Sequence, residues 1–84
     1  MSSPASSLLR LRVVAEADPG ALARILERFQ NINVVPRRVI AEFATTGRLH
    51  VQVDICGLTE ERLTLIAAKI EQAPAVISSY WHQV

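Results

Sequence analysis

Asp18-Pro19-Gly20-Ala21-Leu22 divides an alternating apolar run from a helical one, and the fold is read outward from it. Asp is a favoured N-cap because its carboxylate accepts hydrogen bonds from the first unpaired N–H groups of a helix. Proline at the first helical position costs little, since its missing N–H would have no partner there. The stretch therefore predicts a helix capped by Asp18 and starting at Pro19. Gly20 leaves backbone open at the positive end of the helix dipole, where an anionic or carbonyl group can approach.

Upstream, Leu9, Leu11, Val13 and Ala15 alternate with Arg10, Arg12 and Glu16, and only Val14 breaks the pattern. Residues 8–16 thus predict a strand with one buried and one wet face. Downstream, Leu22, Ile25, Leu26 and Phe29 form one helical stripe, with Arg24, Glu27 and Arg28 outside it. Asn31 stands where a helix commonly stops in the left-handed conformation.

Residues 33–44 predict a second strand. Val35, Val39, Ala41 and Phe43 share one face; Arg38, Ile40 and Glu42 share the other. Pro36 cannot donate to a ladder, which assigns this strand to a sheet edge. Thr45-Thr46-Gly47 has the form of a three-residue hairpin loop with Gly47 at the left-handed position. That loop sets Phe43 opposite Leu49, Ala41 opposite Val51 and Val39 opposite Val53. On the other face it sets Glu42 against His50 and Arg38 against Asp54. Apolar then meets apolar and opposite charges meet, whereas a slip of one residue would invert every side chain.

Residues 59–73 predict a second helix, with Thr59 as N-cap, Glu60 and Glu61 in its first turn, and Leu63, Ile66, Ala67 and Ile70 buried. Residues 75–84 predict a last strand with Ile77, Ser79 and Trp81 inward. The order βαββαβ with right-handed crossovers gives an α+β, ferredoxin-like fold. It has a four-stranded antiparallel sheet with two helices on one face.

A chain of 84 residues supports one domain, placed at 8–84, behind a disordered tail at 1–7. The tail lacks the basic start and apolar stretch of a signal peptide, and no apolar run reaches membrane-spanning length. The lone Cys56 permits no intramolecular disulfide, which favours a cytoplasmic setting. A net charge of +1 offers no electrostatic reason for nucleic acid or an anionic membrane.

His50 and His82 lie on different strands without ligand spacing, so no metal or cofactor is expected. Glu42 and Asp54 are both matched with cations, and no nucleophile elbow or phosphate-binding glycine loop occurs. An enzyme is not expected. RNA-recognition domains share the topology but stack bases on aromatics of the central strands. Here those strands expose Arg10, Arg12, Arg48, His50, Gln52 and Asp54 with no aromatic among them, so an RNA-binding ferredoxin-like domain is the least favoured alternative.

In this topological setting the run Asp18-Pro19-Gly20-Ala21-Leu22-Ala23-Arg24-Ile25 resembles the signature of the ACT domain family, and Asn31-Ile32-Asn33-Val34 resembles that family's entry to the second strand. The resemblance spans about residues 8–83. It implies a non-catalytic regulatory module that binds an amino acid at an interface between two domains. Carried onto this sequence, the ligand-binding candidates are Asp18, Gly20 and Ala21 in the turn and Asn33 across the interface. A single ACT domain of this length also resembles the small regulatory subunit of acetohydroxyacid (acetolactate) synthase, which implies a larger catalytic subunit as partner. Two departures stand out. Ala17 occupies the place where amino-acid-binding members often carry Asn, and Pro36 interrupts the edge where many members pair. The homodimer then pairs beyond Pro36 or along the last strand with Tyr80. The alternative is a pure interaction subunit with a vestigial pocket.

Overall fold

Residues 8–84 are described in the computed structural model, so the tail expected at 1–7 lies outside the described residues. The elements run β1 (Leu9–Glu16), α1 (Ala21–Gln30), β2 (Arg38–Phe43), β3 (Arg48–Ile55), α2 (Glu60–Glu71) and β4 (Val76–Gln83). The sheet order is β2-β3-β1-β4, and every pairing is antiparallel. This is the ferredoxin-like arrangement, with β2 and β4 at the edges.

The core lies on the helix side of the sheet. Alternation delivers Leu9, Leu11, Val13, Val51, Val53 and Ile55 to it from β1 and β3. Helix α1 buries Ala21, Ile25 and Phe29, with Leu22 and Leu26 half-buried beside them. Helix α2 buries Leu63, Ile66, Ala67 and Ile70, and Thr59 caps it by accepting a bond from the Arg62 N–H at 3.3 Å. Trp81 on β4 ties sheet to helix: its Nε1–H donates to Thr64 Oγ1 at 2.9 Å, and that hydroxyl donates to the Glu60 carbonyl at 2.9 Å.

The hairpin register is the expected one, from Arg38 opposite Asp54 to Phe43 opposite Leu49. Gly47 has φ +85°, the left-handed position of the loop. Five local expectations are corrected. First, α1 starts at Ala21 with Gly20 as its cap, because Asp18-Pro19-Gly20-Ala21 closes a type I turn first. The Ala21 N–H donates to the Asp18 carbonyl at 2.9 Å, Gly20 sits at φ −85°, ψ −8°, and Pro19 fills the turn's second position. Second, Asn31 is still helical and the left-handed residue is Asn33, φ +59°. The Asn33 N–H donates to the Gln30 carbonyl and the Val34 N–H to the Phe29 carbonyl, which is the Schellman closure.

Third, β2 begins at Arg38, so Pro36 precedes the strand and interrupts nothing. Fourth, α2 ends at Glu71, short of Ala73, where Gln72 caps it ahead of Pro74. Fifth, a bulge between Val14 and Ala15 shifts the β1–β4 register. Ser79 and Trp81 face inward as expected, but Val76 replaces Ile77 on that face and Ile77 is left exposed.

Candidate ligand-binding turn and sheet edge

The turn that leads from β1 into α1 is tied together by Asp18. One carboxylate oxygen accepts the Gly20 N–H at 2.9 Å; the other accepts Arg24 Nη1 at 3.2 Å. Asp favours this bond to the residue two positions on, which makes an Asx turn. The N–H groups of Gly20 and Ala21 are both engaged inside the turn, and the Arg24 side chain lies close beside Gly20. The N–H groups of Leu22 and Ala23 find no acceptor among the described residues. They are the two donors through which the helix N-terminus can receive an anion.

Asn33 stands at the other end of α1. Ten helical residues span about 15 Å, so within one copy Asn33 and the turn cannot share a small ligand. Asn33 is exposed, its left-handed backbone is required by the helix stop, and its amide can both donate and accept. Five residues further on, β2 opens an edge whose six residues are all exposed. Neither helix covers it: Val39 and Ile40 are each 38% exposed and Phe43 is 66% exposed.

The remaining polar groups are organised otherwise than the sequence indicates. Asp54 pairs with Arg10 on β1, at 2.8 and 3.1 Å, and not with Arg38 opposite it on β2. Arg10 also lies opposite Asp54, on the neighbouring strand, and its fork matches the carboxylate. These bonds hold the Asp54 carboxyl below the ordinary range, outweighing the upward push of burial, with Arg38 adding a smaller attraction. Glu42 and His50 are opposite in register, yet no hydrogen bond joins them among the described residues. Arg12 donates to His82 Nε2 at 3.2 Å, and Arg37 lies 3.4 Å from Cys56 Sγ. No cluster of metal-ligating side chains occurs among the described residues. Tyr80, 54% exposed and opposite Arg12, adds an aromatic to the uncovered sheet face that the central strands lack. No helix of the described residues is long and apolar enough to cross a membrane.

Residues 2–84 match the family model of the ACT-like domain. The chain belongs to the ACT-like domain family. Among curated proteins, none matches the sequence. This ACT-like domain is similar in structure to the C-terminal domain of the MgtC protein from Mycobacterium tuberculosis. That match has a TM-score of 0.76 at 17% identity, covering 100% of this chain and 94% of that one. It is similar also to the ACT domain from GTP pyrophosphokinase of Chlorobium tepidum, with a TM-score of 0.75 at 18% identity over 90% of this chain and 97% of that one. A homoserine dehydrogenase from Thiobacillus denitrificans matches with a TM-score of 0.75 at 19% identity; 96% of this chain corresponds to only 19% of that enzyme. At these identities the likeness concerns the fold.

Proposed function

We propose that this ACT-like domain is a non-catalytic cytoplasmic regulatory module. It pairs with a second copy along β2, takes an amino acid at the junction and sets the output of a larger catalytic subunit, with acetohydroxyacid synthase as the candidate enzyme. The observation that carries the reading is the wholly exposed β2 edge with Asn33 at its approach. Two β2 strands paired antiparallel set the Asn33 end of one copy beside the Phe43 end of the other. Phe43 is opposite Leu49, and Leu49 is opposite Ala15, so that end of the sheet carries the Asp18–Ala21 turn. Pairing thus brings together groups that one copy holds about 15 Å apart. An amino-acid carboxylate would accept from the Leu22 and Ala23 N–H groups, with the Asn33 amide of the second copy on the remainder.

Thermal melts with each of the twenty amino acids test the ligand half. Ligand at a hundred times its Kd adds about 2.7 kcal/mol, which for a domain of this size raises Tm by roughly 10 °C or more. No shift with any amino acid at millimolar levels overturns the sensor reading.

A second reading, a pure interaction subunit, is favoured by the self-satisfied turn. Asp18 occupies the Gly20 N–H, Arg24 leans over it, and Ala17 contributes no polar side chain. It predicts no small-molecule response and co-purification with a larger enzyme; a pull-down that recovers no partner counts against it.

A further inference from the structure

A cleft runs between α1 and the last turn of α2 and meets the turn only at Ala21 and Arg24. Its volume is about 150 Å³; the buried Ile25 and Ile70 form its floor and the half-buried Val76 and the alanines of the α2 exit supply its more open apolar wall. The hollow exists because its wall at the α2 exit is built of small residues, Ala73 and Ala75. The cleft is open to solvent and of mixed lining, apolar at Ile25, Ile70, Ala73 and Val76 and polar at Glu27, Arg28 and Asn31, and its volume admits a short aliphatic chain that carries a polar end.

Charged side chains from α1 border the cleft. Arg24 is engaged with Asp18 at 3.2 Å. Arg28 is half-buried and makes no hydrogen bond or ion pair among the described residues, so its donor fork is unused. Glu27 borders the cleft beside it. A guanidinium fork matches a carboxylate in two parallel bonds. The carbonyl end of α2 opposes an anion here, but its Lys69 and Ile70 carbonyls already accept from the Gln72 and Ala73 N–H groups.

We propose that this cleft is a ligand site within a single copy for a small aliphatic carboxylate, its chain against Ile25, Ile70 and Val76 and its carboxylate on Arg28. A neighbouring ammonium would be met by Glu27, so a free acid and the corresponding amino acid share this chemistry. The site stands apart from the β2 junction and does not require pairing.

Amide chemical shifts of the isotopically labelled full chain, titrated with 4-methylpentanoate and separately with leucine, test it. The expected result is saturable movement of the Ile25, Ile70 and Ala73 amides in the millimolar range. Arg28→Gln should weaken binding at least about tenfold, because a neutral amide replaces the charged two-bond fork. Ala73→Leu fills the hollow and abolishes binding, whereas Phe43→Lys at the β2 edge leaves it intact and so separates this site from the junction. If Glu27 contributes, leucine binds tighter than the free acid and Glu27→Gln removes the difference; equal binding means that the carboxylate and chain suffice. Absence of saturable shifts with both probes overturns the proposal, as does binding insensitive to Arg28→Gln, a rim substitution that leaves the core untouched.

Discussion

Arg10 and Asp54 face each other across β1 and β3 and close two hydrogen bonds, at 2.8 and 3.1 Å, on the side of the sheet away from the helices. Asp54 is 4% exposed, the one buried charged side chain among the described residues, and Arg10 is its main partner, with the Gln52 amide donating more weakly at 3.5 Å. The Arg10 bonds hold the Asp54 carboxyl below its unfolded value, with burial opposing and Arg38 assisting. A depressed carboxyl stabilises the folded state above the unfolded pKa of about 3.9 and loses that contribution as pH falls through the lower folded value. Urea midpoints between pH 7 and pH 2 should therefore fall in the wild type. The part due to Asp54 should vanish in Asp54→Asn, which flattens the profile below pH 4.

Phe43 ends an edge strand that no helix covers, which makes pairing along β2 open to a surface substitution. Lysine on an edge strand blocks edge-to-edge association. Phe43→Lys should convert a dimer to a monomer by light scattering after size exclusion, with stability changed by no more than about 0.5 kcal/mol. A dimer that survives the substitution argues for association elsewhere.

Asn33 holds φ +59° where the chain leaves α1. A β-branched side chain there meets the left-handed penalty, so Asn33→Val should cost about 1–2 kcal/mol in urea unfolding. Asn33→Gly keeps the backbone and removes the amide. It should retain the fold while weakening any ligand held across the junction, and the contrast between the two variants separates the residue's two duties.

Asp18→Ala removes both the Gly20 N–H acceptor and the partner of Arg24. Loss of the turn bond should cost about 1 kcal/mol of stability, measured as a lower Tm. The same change uncovers the Gly20 N–H. If the self-satisfied turn is what keeps ligands out, Asp18→Ala should bind amino-acid carboxylates more tightly than the wild type in the thermal-shift series.

Much of this protein was legible locally. The period-2 run of Leu9–Ala15, the Thr59 cap and the Thr45-Thr46-Gly47 loop each depend on neighbours a few residues away, and alternation plus a single loop residue pins the β2–β3 register. The turn was legible in composition but not in geometry. Asp-Pro-Gly suits both a helix cap and a type I turn, and which one forms depends on where the Asp18 carboxylate finds its donor.

Periodicity and turn chemistry act within one element or between adjacent ones, so the residues alone carry the order βαββαβ, the core faces of β1, β3 and the two helices, and the edge position of β2. Relations across elements came from the packed fold. Asp54 took Arg10 instead of Arg38, since each stands opposite it on a different neighbouring strand and only side-chain reach and geometry separate them. The bulge at Val14/Ala15 moved Val76 inward in place of Ile77, because an extra residue changes the parity of every position before it. The distance between Asn33 and the Asp18 turn, and the cleft beside Arg28, follow from how α1 lies on the sheet. No pattern along the chain contains that information.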